Sequence, residues 1–271
     1  MAIKVQDKMS WVPIRIEMKF DDTSLSVGTA FMFLHAGKSY LVTNWHNVTG
    51  RDSNSLEPLS PYSAIPNKLV LPIPIARETM EQGEMIGWES RELSLYNDDN
   101  SIWYEHPEHG HKVDVAVIPL GGIEATKLIA ANDTQQLGLE KITVRPSLDA
   151  FVLGYPLGIS GGAKFPIWKR ASIASEPEFD IDDLPKLLID TATREGMSGS
   201  PVFVQATGYI VLEDKPNPND AIIGEARRFV GIYSGRLGSD TFQAQLGIVW
   251  KERAIVEIIE AQKLGKSSFE I

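Results

Sequence analysis

The sequence predicts an all-β protein, a barrel or sandwich assembly with a single helix docked near its C-terminal end. Short apolar runs recur along the whole chain, and turn residues such as Ala36-Gly37-Lys38 separate them. Val12-Pro13-Ile14-Arg15-Ile16-Glu17-Met18-Lys19-Phe20 alternates apolar and polar residues, the pattern of a half-buried strand. Only one segment has a convincing helical period, so many short strands with few helices point to an all-β architecture.

Taken in order, strands are expected over 12–20, 29–35, 40–45, 68–75, 113–120, 150–154, 166–173, 201–205, 229–234 and 245–250. A boundary falls near 121–142, where Gly121-Gly122 and Ala131-Asn132-Asp133-Thr134 lie between two strand-rich halves. The expected division is a first half over 1–125, a linker over 126–142, a second half over 143–250, and a helix and tail over 251–271. Each half is long enough to form one barrel, with a site in the crevice between them. The helix, over 251–264, places Ala254, Ile255, Ile258, Ile259 and Gln262 on one side and charges elsewhere. Glu213-Asp214-Lys215-Pro216-Asn217-Pro218-Asn219-Asp220 is an exposed loop by composition.

Composition bounds the function. The 271 residues are 43% apolar and 23% charged, as in ordinary globular proteins. No run of 18 or more apolar residues exists, so no membrane helix or membrane partner is expected. The start, Met1-Ala2-Ile3-Lys4-Val5-Gln6-Asp7-Lys8, lacks the basic and apolar regions of a secretion signal. There is no cysteine, which fits a reducing compartment and removes thiol chemistry, so a cytoplasmic location is expected. A net charge of -10 argues against a nucleic-acid partner.

Three segments carry chemistry. Arg194-Glu195-Gly196-Met197-Ser198-Gly199-Ser200-Pro201 presents a serine between glycines, Thr43-Asn44-Trp45-His46-Asn47-Val48 presents a histidine after a strand, and Val113-Asp114-Val115-Ala116-Val117 presents a carboxylate in an apolar run. A serine hydroxyl attacks a carbonyl only if a base takes its proton, and an acid that fixes the base's tautomer and charge completes the set. Asp114 among valines is costly unless hydrogen-bonded, and the His46 Nδ1–H is a suitable partner. The oxyanion formed by attack needs two N–H donors, here expected from Gly196 and Ser198. Glycine at 196 permits the tight turn this requires. Each residue alone is more often structural. The set, in the order His, Asp, Ser, matches the arrangement built on paired β-barrels.

These segments resemble the trypsin/chymotrypsin superfamily of serine peptidases, and most of all its cysteine-free bacterial members related to the HtrA-like group. Val152-Leu153-Gly154-Tyr155-Pro156-Leu157-Gly158 and Gly231-Ile232-Tyr233-Ser234-Gly235 are similar to second-barrel strands of that family, so the likeness spans roughly 28–264. The resemblance implies two perpendicular six-stranded β-barrels and a serine endopeptidase, bacterial in type, acting on protein or peptide substrates through an acyl-enzyme and needing no cofactor or metal. Ser200 stands where the family's second glycine is usual, and Met197 where digestive members carry an aspartate that pairs with a newly cut N-terminus. Activation by that cleavage is therefore not expected. The chain has no room for the peptide-binding modules of HtrA-like proteins.

The resemblance places Ala192 at the floor of the primary pocket, which implies a small or apolar side chain at the cleavage point. Ser234, Gly235 and Arg236 are expected beside it. Arg236 reads either as a pocket residue favouring acids or as a solvated loop arginine, and Ser234 either as a donor to Asp114 or as an ordinary strand-end serine. Several weaker signals are discounted. His106, His109 and His111 read as a polar surface loop rather than a metal site. Gly158-Ile159-Ser160-Gly161-Gly162-Ala163-Lys164 lacks the ending of a phosphate loop and reads as a turn near the cleft. Trp88, Trp103 and Trp168 read as packing residues. A cytosolic protease endangers its own cell, so either narrow specificity or latency relieved by a partner or ligand is expected. The alternative is a catalytically silent scaffold that binds peptides on the same fold.

Overall fold

The computed structural model describes residues 5–79, 83–121, 126–192, 194–236 and 245–268. The strands are β1 Pro13–Phe20, β2 Thr23–His35, β3 Lys38–Thr43, β4 Lys68–Thr79, β5 Gly83–Ser94, β6 Tyr96–Asn97, β7 Asn100–Ser101, β8 Ala116–Leu120, β9 Asp149–Gly154, β10 Ile167–Ile173, β11 Lys186–Asp190, β12 Pro201–Ile210, β13 Ile222–Arg236 and β14 Leu246–Lys251. The helices are α1 Trp45–Thr49, α2 Thr134–Leu137 and α3 Glu252–Ala261. The protein is all-β, as expected, with α3 as its long helix.

Twelve of the strands form two assemblies, and β6 pairs only with β7 in a small separate ribbon. The first is a six-stranded sheet in the order β5-β4-β1-β2-β3-β8, and the second is a closed barrel in the order β10-β11-β14-β13-β12-β9. Pairing is antiparallel throughout, with Phe31 opposite Val42 in the sheet and Val202 opposite both Gly231 and Val152 in the barrel. Between the two lies one apolar cluster, in which Phe31, Phe33 and Val42 of the sheet meet Leu153, Phe203, Phe229 and Ile232 of the barrel. The Phe229 ring is the pivot, edge-on to both Phe31 and Phe203 at 5.5 Å between centroids. Helix α3 adds buried Ala254, Ile255, Ile258 and Ile259 to the same cluster. Each buried isoleucine is worth roughly 2 kcal/mol against solvent exposure, so α3 locks the two assemblies together.

Several boundaries differ from the sequence reading. The helix ends at Ala261, and Gln262 is an exposed left-handed cap rather than part of the buried face. β5 and β11 were not expected as strands. β5 alternates poorly because it is the outer strand of a long hairpin, paired with β4 from Lys68↔Ser94 to Thr79↔Gly83. β11 is a buried five-residue strand held between β10 and β14. β12 and β13 run well past the expected 205 and begin before 229, forming a hairpin whose outer part pairs Thr207 with Glu225. The segment Glu213 to Asp220 is exposed, as expected. Gly122, part of the expected boundary, lies outside the described residues.

Candidate active site

The strand leading to His46 ends earlier than expected, and the reason builds the site. β3 stops at Thr43, paired with Ala116, and Asn44 turns the chain into α1 with extended backbone angles. Gly50 closes the helix in the left-handed conformation, its N–H donating to the His46 carbonyl. The pair Asn44 and Gly50 bracketing a short run is the local signal that marks this helix. A helix start leaves backbone N–H groups without intrahelical partners. The His46 N–H is one, and it donates to Asp114 Oδ1 at 2.9 Å.

Asp114 precedes β8 rather than lying inside a strand. It is only 3% exposed. Its Oδ2 accepts from Ser234 Oγ at 2.6 Å and pairs with His46 Nδ1 at 2.7 Å. Asn44 Nδ2 donates to the Asp114 carbonyl at 2.7 Å. With both carboxylate oxygens engaged, the buried charge is compensated. Burial alone would lower the His46 pKa. The Asp114 carboxylate, with a smaller push from Asp52, outweighs burial and holds it above the usual histidine value. Nδ1 is tied to Asp114, and among the described residues Nε2 is engaged by no other group.

The Ser198 loop is held mainly by backbone. Thr29 N–H donates to the Ser198 carbonyl at 2.8 Å, and Thr29 Oγ1 donates to the Gly196 carbonyl at 2.9 Å. Asn47, the residue after His46, donates to the Ser198 carbonyl at 3.4 Å and to Thr43 Oγ1 at 2.9 Å. Through these bonds the sheet carrying His46 grips the loop that leads into β12 of the barrel. Gly199 N–H donates to the Tyr233 carbonyl at 2.9 Å, which anchors the loop to β13. Two glycines are obligatory. Gly196 (φ 87°) and Gly199 (φ 88°) are left-handed, and a Cβ would stand 2.3 Å from the Tyr155 carbonyl oxygen at 196 and 1.8 Å from the Thr29 carbonyl oxygen at 199. Ser200 is accommodated because its partner is glycine too. Its hydroxyl occupies space that a Cβ on Gly154 would need.

The Leu157 N–H donates to the Glu195 carbonyl at 2.7 Å. In a trans peptide the carbonyl and the following N–H point to opposite sides, so this bond turns the Gly196 N–H away from Leu157. Among the described residues neither the Gly196 N–H nor the Ser198 N–H has a protein acceptor, although Gly196 is buried. Buried N–H groups are almost always paired. Two left open on either side of Met197 are suited to an incoming oxygen.

The pocket residues divide. Ser234, Gly235 and Arg236 line a cleft of about 290 Å³ together with His46 and Asp114. Ala192 is exposed and does not line that cleft, and 237–244, which follow Arg236 in the sequence, lie outside the described residues. Thr29, Asn44, Asn47 and Leu157 were not singled out by sequence reasoning. Their roles run through backbone groups distant in the chain, and only the adjacency of Asn44 and Asn47 to His46 hinted at them.

The histidine run is only partly a surface loop, with Glu108 exposed, His109 and His111 half-buried and His106 inside. His106 is 3% exposed, and its Nε2 pairs with Glu257 of α3 at 2.9 Å. Burial, only partly offset by Glu257, holds its pKa below the usual value. His111 Nδ1 bonds the Ser53 carbonyl at 2.8 Å. Among the described residues no group of three or more His, Asp or Glu is placed to hold a metal ion, and none of their helices is long and apolar enough to cross a membrane. Trp103 is fully buried, and Trp88 packs against Trp11 and Phe165.

The sequence matches the family model of the trypsin-like peptidase domain over residues 28–211. The chain belongs to the trypsin-like peptidase family. No curated protein matches it significantly. Among solved structures, this family member is similar to an inactive mutant of Rv3671c from Mycobacterium tuberculosis, at 14% identity and a TM-score of 0.47, covering 93% of this chain and 87% of that one. A serine endoprotease from Yersinia pestis matches at 13% identity and a TM-score of 0.49, over 96% of this chain and 67% of that one. The thermostable serine protease AL20 from an extremophilic microorganism matches at 14% identity and a TM-score of 0.48, over 94% and 98%.

Proposed function

We propose that this peptidase-family protein is a serine endopeptidase working through an acyl-enzyme, with Ser198 as nucleophile, His46 as general base and then acid, and Asp114 as the group that orients and charges His46. The carrying observation is the pairing of His46 Nδ1 with Asp114 Oδ2 at 2.7 Å beside a serine loop with two unengaged N–H groups. Neutral His46 takes the Ser198 proton through Nε2 as the hydroxyl attacks the scissile carbonyl, and the Gly196 and Ser198 N–H groups meet the developing oxyanion. His46, now charged beside Asp114, gives its proton to the leaving amine. Water then repeats the sequence on the acyl-enzyme.

In this reading the half over 1–125 supplies base and acid, the half over 143–250 supplies the nucleophile, and 126–142 links them. Ala192 borders the primary pocket, where the lack of a carboxylate favours small or apolar side chains. The chain without cysteine favours a reducing compartment such as the cytoplasm, and control comes from narrow specificity or from a partner or ligand. The test is hydrolysis of an unfolded protein substrate, followed by mass spectrometry. Wild type should cut it at defined bonds and Ser198→Ala should lose cleavage by more than a thousandfold. Equal cleavage by both would overturn the assignment. Peptide binding without any cleavage by wild type would favour the silent scaffold.

A further inference from the structure

We propose that the cleft on the Asp114 side of His46 is a subsite selecting an acidic side chain that flanks the scissile bond, an inference that rests on the peptidase reading and names its substrate class. The cleft, of about 290 Å³, has an apolar part to its lining that includes Leu184, Ile248 and Trp250. Its charges come from both assemblies. Lys112 stands on the loop before β8, Arg236 ends β13, and Lys186 starts β11.

The carboxylates in the cleft are largely committed. Asp114 is buried with both oxygens engaged. Asp52 holds its own loop, its Oδ1 accepting from the Asn54 and Ser55 N–H groups at 2.9 and 2.8 Å and from Ser55 Oγ. Lys186 is committed too, paired with Asp182 Oδ2 at 2.8 Å and lying over the Trp250 ring. Lys112 and Arg236 differ. Both are exposed, and neither has an anionic partner among the described residues.

Among the described residues Gly235 leaves the approach clear, since a Cβ there would meet none of them within 4 Å. A glutamate or aspartate entering the cleft would rest its methylenes on the apolar lining and offer its carboxylate to two cations, one carried by each assembly, that have no acidic partner among the described residues. The Arg236 guanidinium is suited to a bidentate grip. A lysine would meet those cations with only Asp52 to offset them. Because the whole protein carries a net charge of -10, long-range steering does not favour acidic chains, and the preference arises inside the cleft.

The test measures binding by fluorescence polarisation to the Ser198→Ala protein, so that no turnover is needed. In a set of labelled peptides, glutamate, glutamine or lysine is moved one position at a time along the sequence. At one position the glutamate peptide should bind about tenfold tighter than its glutamine twin. That preference should shrink at high salt and vanish in a Lys112→Gln/Arg236→Gln double variant. Equal affinity for glutamate and glutamine at every position, no binding of any peptide, or a preference for lysine would overturn the inference. Labelling of wild-type protein by a fluorophosphonate reports separately on the peptidase reading. A labelled enzyme without acidic preference sinks the subsite alone, and acidic preference without labelling sinks the peptidase reading alone.

Discussion

His46 and Asp114 are positioned by hydrogen bonds to particular donors, whereas Ser198 is positioned by backbone bonds and by places where no side chain fits. The carboxylate of Asp114 is met by His46 twice and by Ser234 once. The serine loop instead depends on Gly196 and Gly199 lying against the Tyr155 and Thr29 carbonyl oxygens. The first arrangement sets protonation and charge, and losing one donor weakens it. The second sets geometry alone, and one added methyl group cannot be absorbed. The two regions should therefore fail differently.

The largest effect is expected at Gly199. Gly199→Ala combines a left-handed φ with a Cβ 1.8 Å from the Thr29 carbonyl oxygen, so the loop must move and the sheet must release it. A loss of about 4 kcal/mol or more in urea unfolding is expected, with activity lost as well. A stable, active variant would mean that the clamp between sheet and loop is not needed. Asp114→Asn should leave the fold in place and reduce kcat about 10,000-fold, because the amide favours the wrong imidazole tautomer and cannot stabilise its charge. A loss of stability as large as that of Gly199→Ala would erase the contrast between the regions.

The smallest effect sharpens the electrostatic side. In the proposed mechanism His46 acts as base only when neutral, so kcat/KM should rise with pH through its elevated pKa. Asp52 adds to that elevation. Asp52→Asn should move the rising limb of the pH profile to lower pH, with the plateau little changed. An unmoved limb would show that the Asp52 charge does not reach His46.

The two regions were also unequally legible in the sequence. Ser198, His46 and Asp114 stand in short motifs that single them out as candidates without coordinates, and the structure pairs His46 with Asp114, while α3 announced itself by its apolar stripe. Thr29 could not be found, because it works through its N–H and hydroxyl against residues more than 160 positions away. α1 was not foreseen, and Trp45 was assigned to the preceding strand because it and the residues before it favour extended structure, while the weaker caps at Asn44 and Gly50 decide the outcome. β5 was missed because an outer hairpin strand buries too little to need alternation. His106 looked like a surface residue because its partner, Glu257, is 151 residues on.

The most direct measurement is the rate at which a fluorophosphonate probe labels the protein, with the modified residue located by peptide mass spectrometry. The account predicts labelling of wild type at Ser198, its loss in His46→Ala, and strong slowing in Asp114→Asn. Labelling at another residue, or labelling of Ser198 that is unchanged when His46 is removed, would contradict it.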